Sequence, residues 1–521
     1  MPGRLEFDFT FNEPQEGLSA RHRTNGAMRI LLMGDFSGRS NRGLDVSGDK
    51  LANRSIVPVD IDNFNETMAR INPKLRLPIG DRSESGMAIQ FSQLDDFHPD
   101  KLYQNLGLFQ VLRDLRARLM DPTTFPQAAA ELRHEALKPE QVAEPAALAA
   151  GDTEPALEED EGSMFERLLG RQLTETVETP SGVRRTESQA VIHQFIQGIV
   201  GPYIVPEADP FQPQYVAAVD EAISEQMRAV LHHPHFQALE ALWRSVHGLV
   251  TGLETGQDLK LYLLDISKDE LAEDIKATQG QLEESGLYRL LVEKGVGTLG
   301  GEPWSVLVGD YTFTTEAEEL SLLAALGAIG SQAGGPFLAA ADASMLGCRS
   351  LVETPDPRDW KIKDTRAEQG WRALRQSSVA SWIGLAHPRI LLRLPYGKDS
   401  DALDSFEFEE LGQEREHESY LWGNPASACA MLIAAAYQTN GWTMEPGDYL
   451  DMEDLPAHTF EEEDETRMMA CAEVFLTERA AEAMLDRGLM PLISYRNRNA
   501  VRLMRFQSIA EPCKALAGPW A

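Results

Sequence analysis

Apolar and polar residues alternate strictly from Leu5 to Phe11, which predicts a strand with one apolar face made of Leu5, Phe7, Phe9 and Phe11. A strand at a chain terminus can add itself to the edge of another sheet, or it can be an ordinary edge strand of its own domain; the pattern leaves both open. Met28–Met33 is a short apolar run of the kind found in buried strands, and Ile56–Ile61 and Ala88–Phe91 are strand-like too. Phe64–Ile71 carries a helical pattern with Asn63 or Asp62 as its cap. Leu102, Leu106, Phe109, Leu112, Leu115 and Leu119 recur at spacings of three and four, so one long amphipathic helix is expected over Pro99–Met120.

The pattern then breaks. Pro139–Gly162 holds eight acidic residues, no basic ones, and many Ala and Pro, the composition of a linker with no core to bury. Past it, Ser163–Leu173 predicts a short amphipathic helix, with Ser163 and Glu166 as a capping box and Phe165, Leu168, Leu169 and Leu173 as its stripe. Such a helix is either a recognition peptide or one that docks on its own domain. Helical periodicity follows at Ile192–Val200, Tyr215–Val230, Pro234–Leu249, Glu318–Gly330 and Pro425–Ala436. Strand runs lie between at Leu259–Asp265, Trp304–Gly309 and Phe337–Ala341. The mixture points to an α/β architecture: mixed-sheet domains with flanking helices and an acidic linker. The expected division is 1–120, a linker at 121–162, and 163–521.

Composition narrows the function. With 43% hydrophobic and 25% charged residues, the 521-residue chain is globular, and no apolar run approaches the roughly 20 residues needed to cross a bilayer. A net charge of −34 argues against nucleic acid and against anionic membranes, since both require clustered Lys and Arg. The N-terminus has no apolar signal core, and Cys348, Cys429, Cys471 and Cys513 form no CxxC pair; a reduced, cytoplasmic protein is expected.

No constellation carries recognisable catalysis. His232, His233 and His235 flank Pro234 without further ligands at zinc spacing, which favours a structural cluster at a helix start. Gly295–Gly301 spells GxGxxG but precedes a strand, whereas the dinucleotide loop follows one. The carboxylates of Asp451–Glu465 lack the EF-hand spacing and suit a solvated loop. No catalytic residue, metal or cofactor is therefore expected.

Several segments, taken together, resemble a known family. Met33–Gly38, Val59–Asn65 and Leu94–Asp100 are similar to the small sheath subunit of type VI secretion systems (TssB/VipA). Beyond the linker, Val230–Arg244, Ser267–Leu271, Gly300–Trp304, Val308–Tyr311, Glu353–Asp359, Arg393–Gly397, Leu421–Asn424, Leu455–Phe460 and Gly488–Leu492 resemble the large subunit (TssC/VipB) in order. The resemblance implies a structural component of a contractile sheath, not an enzyme. Its partners would be itself or other sheath subunits, an inner-tube protein, a baseplate and an AAA+ recycling ATPase (ClpV-like). It places the ATPase-recognition helix on Met164, Phe165, Leu168 and Leu169, and an exchanged inter-subunit strand on Leu5, Phe7, Phe9 and Phe11. The family's large subunit continues well beyond the equivalent of Phe506–Ser508. That departure keeps a second expectation open: a non-propagating cap, terminator or baseplate adaptor. An enzyme on a recycled fold is the third. The locally basic tail, Arg496, Arg498, Arg502 and Arg505, is a candidate patch for an acidic partner or a solvated strand edge.

Overall fold

The computed structural model describes residues 26–44, 49–78, 87–136, 212–412, 415–462 and 464–520. The expected elements at Leu5–Phe11, Pro139–Gly162, Ser163–Leu173 and Ile192–Val200 lie outside the described residues.

In chain order the strands are β1 (Met28–Gly34), β2 (Val57–Val59), β3 (Lys74–Leu77), β4 (Met87–Gln90), β5 (Leu259–Asp265), β6 (Val306–Phe313), β7 (Phe337–Ala341), β8 (Ile383–His387), β9 (Ile390–Leu391), β10 (Trp422–Gly423), β11 (Asp451–Met452), β12 (Thr459–Glu462), β13 (Glu465–Met468), β14 (Leu489–Ser494) and β15 (Val501–Leu503). The main helices are α1 (Phe64–Ile71), α2 (Pro99–Asn105), α3 (Gly107–Met120), α4 (Phe125–Ala136), α5 (Gln212–Leu231), α6 (Pro234–Gly252), α7 (Lys268–Ala277), α8 (Ala317–Ala333), α9 (Arg366–Arg375), α10 (Pro425–Asn440) and α11 (Glu478–Asp486). They form two compact units. One comprises residues up to His98 together with Val230–Ala402 and Glu409 onward; the other comprises Pro99–Ala229 and Leu403–Phe408.

The first unit is built on a nine-stranded sheet of order β11-β15-β14-β8-β7-β6-β1-β5-β2. Its middle six strands, β14 to β5, run parallel, and β2, β15 and β11 are antiparallel additions at the two ends. A parallel sheet needs cover on both faces, so its strands read as continuous apolar runs rather than alternations. That is the pattern of β7 and β8, buried at every position. On one face α8 packs with Leu31, Met33, Leu307, Tyr311 and Phe337 in a continuous core. On the other, α10 lies along β6, β7 and β8 and against α6. Both α8 and α10 are apolar nearly all round, as buried helices must be. Gly327 lets α8 approach: a Cβ there would sit 2.5 Å from Ile383 Cγ1.

Expected and observed elements differ in three instructive places. The strand expected at Ile56–Ile61 shortens to β2, where Pro58, which has no N–H to donate, lies at the sheet edge. The strand expected to end at Gly309 continues to Phe313 through a register shift against β7 between Val308 and Thr312. In the second unit the single long helix expected over Pro99–Met120 is two helices. Leu106 is extended (φ −82°, ψ 130°), and the carbonyls of Tyr103 and Gln104 at the end of α2 accept hydrogen bonds from Arg113 Nη1 at 2.9 and 2.6 Å. A guanidinium thus satisfies acceptors that the break leaves without helical partners. The same unit is tied across distant sequence by Arg116, whose Nε and Nη2 donate to Asp220 at 2.5 and 3.1 Å.

Candidate assembly interface

Strand β1 comes from the segment before the acidic stretch, and both its neighbours come from after it. It pairs with β5 over seven residues, Met28↔Leu259 to Gly34↔Asp265, and with β6 from Ile30↔Val306 to Met33↔Gly309. This interior position makes β1 part of the first unit's core. Aromatic side chains peg the junction from the α6 side. Trp243 is fully buried, its Nε1 donates to the Phe36 carbonyl at 3.0 Å, and Phe36 and Phe64 meet its ring edge-on at 5.4 and 5.8 Å. Further along α6, Phe236 stands edge-on to the stacked pair Phe91–Phe97. Each such pair contributes about 0.5–1.5 kcal/mol beyond the area it buries.

Charge locks the other side. Ser267 caps α7, with Glu270 completing the capping box; this places the Glu270 carboxylate, wholly buried, at the C-terminal end of β5. Arg39 Nε reaches it at 3.1 Å, and Arg54 grips it with Nη2 at 2.8 Å and Nη1 at 3.0 Å. Beside it, Asp265 accepts hydrogen bonds from Ser37 N and Oγ at 2.9 and 2.8 Å. Burial alone would raise Glu270, but the hydrogen bonds and charges of Arg54 and Arg39 outweigh it and hold the carboxyl below its ordinary range. For Asp265 burial prevails over the Ser37 hydrogen bonds, and the carboxyl is raised. A bidentate, buried guanidinium–carboxylate pair is directional, so it fixes one seating of the loop after β1.

Two more ion clusters brace the same unit, the first buried and the second reaching the surface. Arg393 donates to Glu240 at 2.8 Å and to Glu410 at 2.7 and 2.9 Å, while Arg244 also holds Glu240 at 2.7 Å. Burial opposes ionisation of Glu410, yet Arg393 carries it down to about 2. Arg389, at the turn between β8 and β9, donates to Glu473 from its N at 2.8 Å and from its side chain at 2.6 and 2.9 Å; Glu473, from the loop after β13, also lies 3.2 Å from His417 Nε2 and is brought down to about 2 against the pull of burial.

The residues singled out from sequence fall into three groups. Met164, Phe165, Leu168 and Leu169, and Leu5, Phe7, Phe9 and Phe11, lie outside the described residues. The four tail arginines each have a local partner. Arg498 and Arg502 come together around Tyr495 and reach Glu453 (2.6 Å) and Asp451 (2.9 Å). Arg496 instead lies over the Phe475 ring, and Arg505 donates to Gln507 at 2.6 Å. His233 caps α6, its Nδ1 accepting from His235 N at 3.3 Å, and His232 Nε2 stands 3.7 Å from Glu410. Among the described residues, no group of three His, Cys, Asp or Glu side chains could hold a metal ion, and no helix is long and apolar enough to cross a membrane. Sequence reasoning missed Arg39, Arg54 and Glu270; the usable signal was the Ser267–Glu270 capping box, whose glutamate is next to an apolar run.

Residues 15–139 match the T6SS_VipA model, described as "Type VI secretion system, VipA, VC_A0107 or Hcp2". Residues 213–510 match the VipB model, described as "EvpB/VC_A0108, tail sheath N-terminal domain". The chain is 36% identical over 307 residues to the type VI secretion system sheath protein TssC1 of Pseudomonas aeruginosa, a match covering 57% of this chain and 61% of that relative. The chain therefore spans less than two thirds of that relative's length. Strands β1 to β4 fall inside the first match and β5 to β15 inside the second. With more than half of its residues matched by one family model, the chain belongs to the VipB family of tail sheath N-terminal domains.

Proposed function

We propose that the chain is a protomer of a type VI secretion contractile sheath, a fusion of small-subunit and large-subunit parts that works by packing and not by bond chemistry. One observation carries this: β1, from the part that matches VipA, lies between β5 and β6, from the part that matches VipB. Two sheath components that share one sheet cannot slide past each other without breaking main-chain hydrogen bonds on both sides of β1. Covalent fusion also fixes them one to one and raises their effective concentration. On this reading the protein acts in the cytoplasm, where neighbouring copies join by strand exchange around an inner tube and meet a baseplate. A ClpV-like ATPase then recycles the contracted form. Purified full-length chain should form long tubes with cogwheel cross-sections in negative-stain electron microscopy. Only discrete particles, at every protein concentration and salt, would remove the protomer reading and leave a cap or adaptor in its place.

A further inference from the structure

Four of the family-like motifs, Met33–Gly38, Val230–Arg244, Val308–Tyr311 and Leu421–Asn424, meet around one small cavity in the first unit, between β1, β6, α6 and the start of α10. Its volume is about 20 Å³. A buried water needs roughly 10–15 Å³ and two to four polar partners. The wall is mostly apolar, but polar side chains enter it from three elements: Ser245 from α6, Asp310 from β6, and Asn424 and Ser427 at the start of α10. Gly34 on β1 makes the room: a Cβ there would lie 2.9 Å from Leu242 Cδ2 and 3.3 Å from Asp310 Cβ.

Two of these side chains are already engaged. Asn424 Nδ2 donates to the Tyr311 carbonyl at 3.2 Å, and its Oδ1 accepts from Ala426 N at 3.0 Å. Ser427 Oγ donates to the Asn424 carbonyl at 2.8 Å and keeps only the capacity to accept. Ser245 is 8% exposed, and its Oγ has no hydrogen-bond partner among the described residues. Buried hydroxyls are as a rule bonded to protein or to internal water. Asp310 is the one lining residue that titrates. The charged groups nearby turn elsewhere: Asp35 accepts from Arg39 N and Ser40 N, Arg244 holds Glu240, and His247 stands against the Phe64 ring. Tyr311, on the other face of β6, donates to the Ile266 carbonyl. The first turn of α10 offers an anion little, since Ala426 N is spent on Asn424 Oδ1 and Ser427 N on the Asn424 carbonyl. With no counter-charge in the wall, burial pushes Asp310 up to about 7.

We propose that this cavity is the site of one internal water that joins Asp310 to Ser245, and that the joint seats α6 and α10 on the sheet only while the Asp310 carboxyl keeps its proton. The carboxyl O–H donates to the water, and the water donates to Ser245 Oγ and Ser427 Oγ. Loss of the proton to solvent leaves a carboxylate in an apolar wall with a single water, which is too little solvation for an ion. Parting α6 and α10 from the sheet admits the rest. The inference concerns one chain and stands apart from the sheath reading.

The test compares full-length wild type, Ser245→Ala and Asp310→Asn between pH 5.5 and 8 by thermal unfolding and by hydrogen exchange, with protection corrected for the intrinsic pH dependence of amide exchange. In wild type, protection of α6 and α10 peptides is expected to fall at least about tenfold between pH 5.5 and 7 and then level off, since one proton supplies up to about tenfold per pH unit. Peptides from α8, on the opposite face, should fall by less, and Asp310→Asn should abolish the step. Ser245→Ala separates a water joint from an idle hydroxyl. Deleting an unpaired hydroxyl from an apolar wall raises stability, whereas deleting one end of a joint lowers it. Ser245→Ala is therefore expected to lower Tm at pH 5.5 and to leave it unchanged at pH 8. An unchanged or raised Tm at pH 5.5, an equal loss at both pH values, or a pH step that survives in Asp310→Asn overturns the inference. None of these readouts depends on tube formation, so its failure leaves the sheath reading standing.

Discussion

At the scale of single residues, stability is concentrated in a few carboxylates that sequence composition hides among many. Glu270 is wholly buried between Arg39 and Arg54, and Glu270→Gln removes the anion while leaving two guanidiniums beside it. Breaking a buried pair in this way costs about 3–5 kcal/mol, and chemical denaturation should show a loss of that order. Glu410 gives a test through pH. Its folded value lies near 2 against an ordinary 4.5, so its contribution is present above 4.5 and lost as pH falls toward 2. Glu410→Gln should therefore be clearly less stable than wild type at pH 7, and the difference should shrink between pH 4.5 and 2; a constant difference across that window would contradict the assignment. Asp310 has the opposite sign: burial pushes it up to about 7, so its contribution is present below about pH 4 and declines as pH rises through 7. Part of its surface still meets solvent, so the effect is smaller than for a wholly enclosed carboxyl. Asp310→Asn should raise Tm more at pH 8 than at pH 5. Only the capping box of Ser267 and Glu270 was visible in the sequence; the guanidiniums that set Glu270, Glu240 and Glu473 apart from surface glutamates, Arg39 and Arg54, Arg393, and Arg389, come from positions far away along the chain. His233 was legible as a helix-start residue because its contact is local.

At the scale of elements, the sequence was most informative where a strand or helix is fixed by its own residues. Leu259–Asp265, Phe337–Ala341 and Phe64–Ile71 have the expected bounds, since turn and cap residues flank each apolar run. The break at Leu106 was not visible: the stripe of leucines passes through it unbroken, and only the Arg113 contacts to Tyr103 and Gln104 reveal how the ends are satisfied. The close seating of α8 on the sheet was likewise hidden in one glycine. Gly327→Ala places a methyl 2.5 Å from Ile383 Cγ1, and overpacking of this kind typically costs about 1–3 kcal/mol. A thermal or chemical denaturation curve for Gly327→Ala that overlies wild type would show that the helix can shift away at no cost.

At the scale of the whole molecule, strand order could not be read from periodicity. The acidic stretch Pro139–Gly162 marks where one family match gives way to the other, yet both compact units draw residues from either side of it. Pairing between β1 and β5 joins residues more than two hundred positions apart, and apolar pattern carries no information about which buried strand is next to which. What was legible was the ensemble of short motifs, each weak alone, whose order agrees with the two family matches. The central claim is that the two parts of the chain build one sheet and therefore one sheath component. Its most direct test is to insert a protease site within Pro139–Gly162, cut the purified full-length protein, and run it by gel filtration without denaturant. Both fragments are expected in a single peak at the uncut position, held by β1, the Trp243 and Phe236 pegs and the Arg39–Arg54–Glu270 lock. Separation of the fragments into two peaks would contradict the claim.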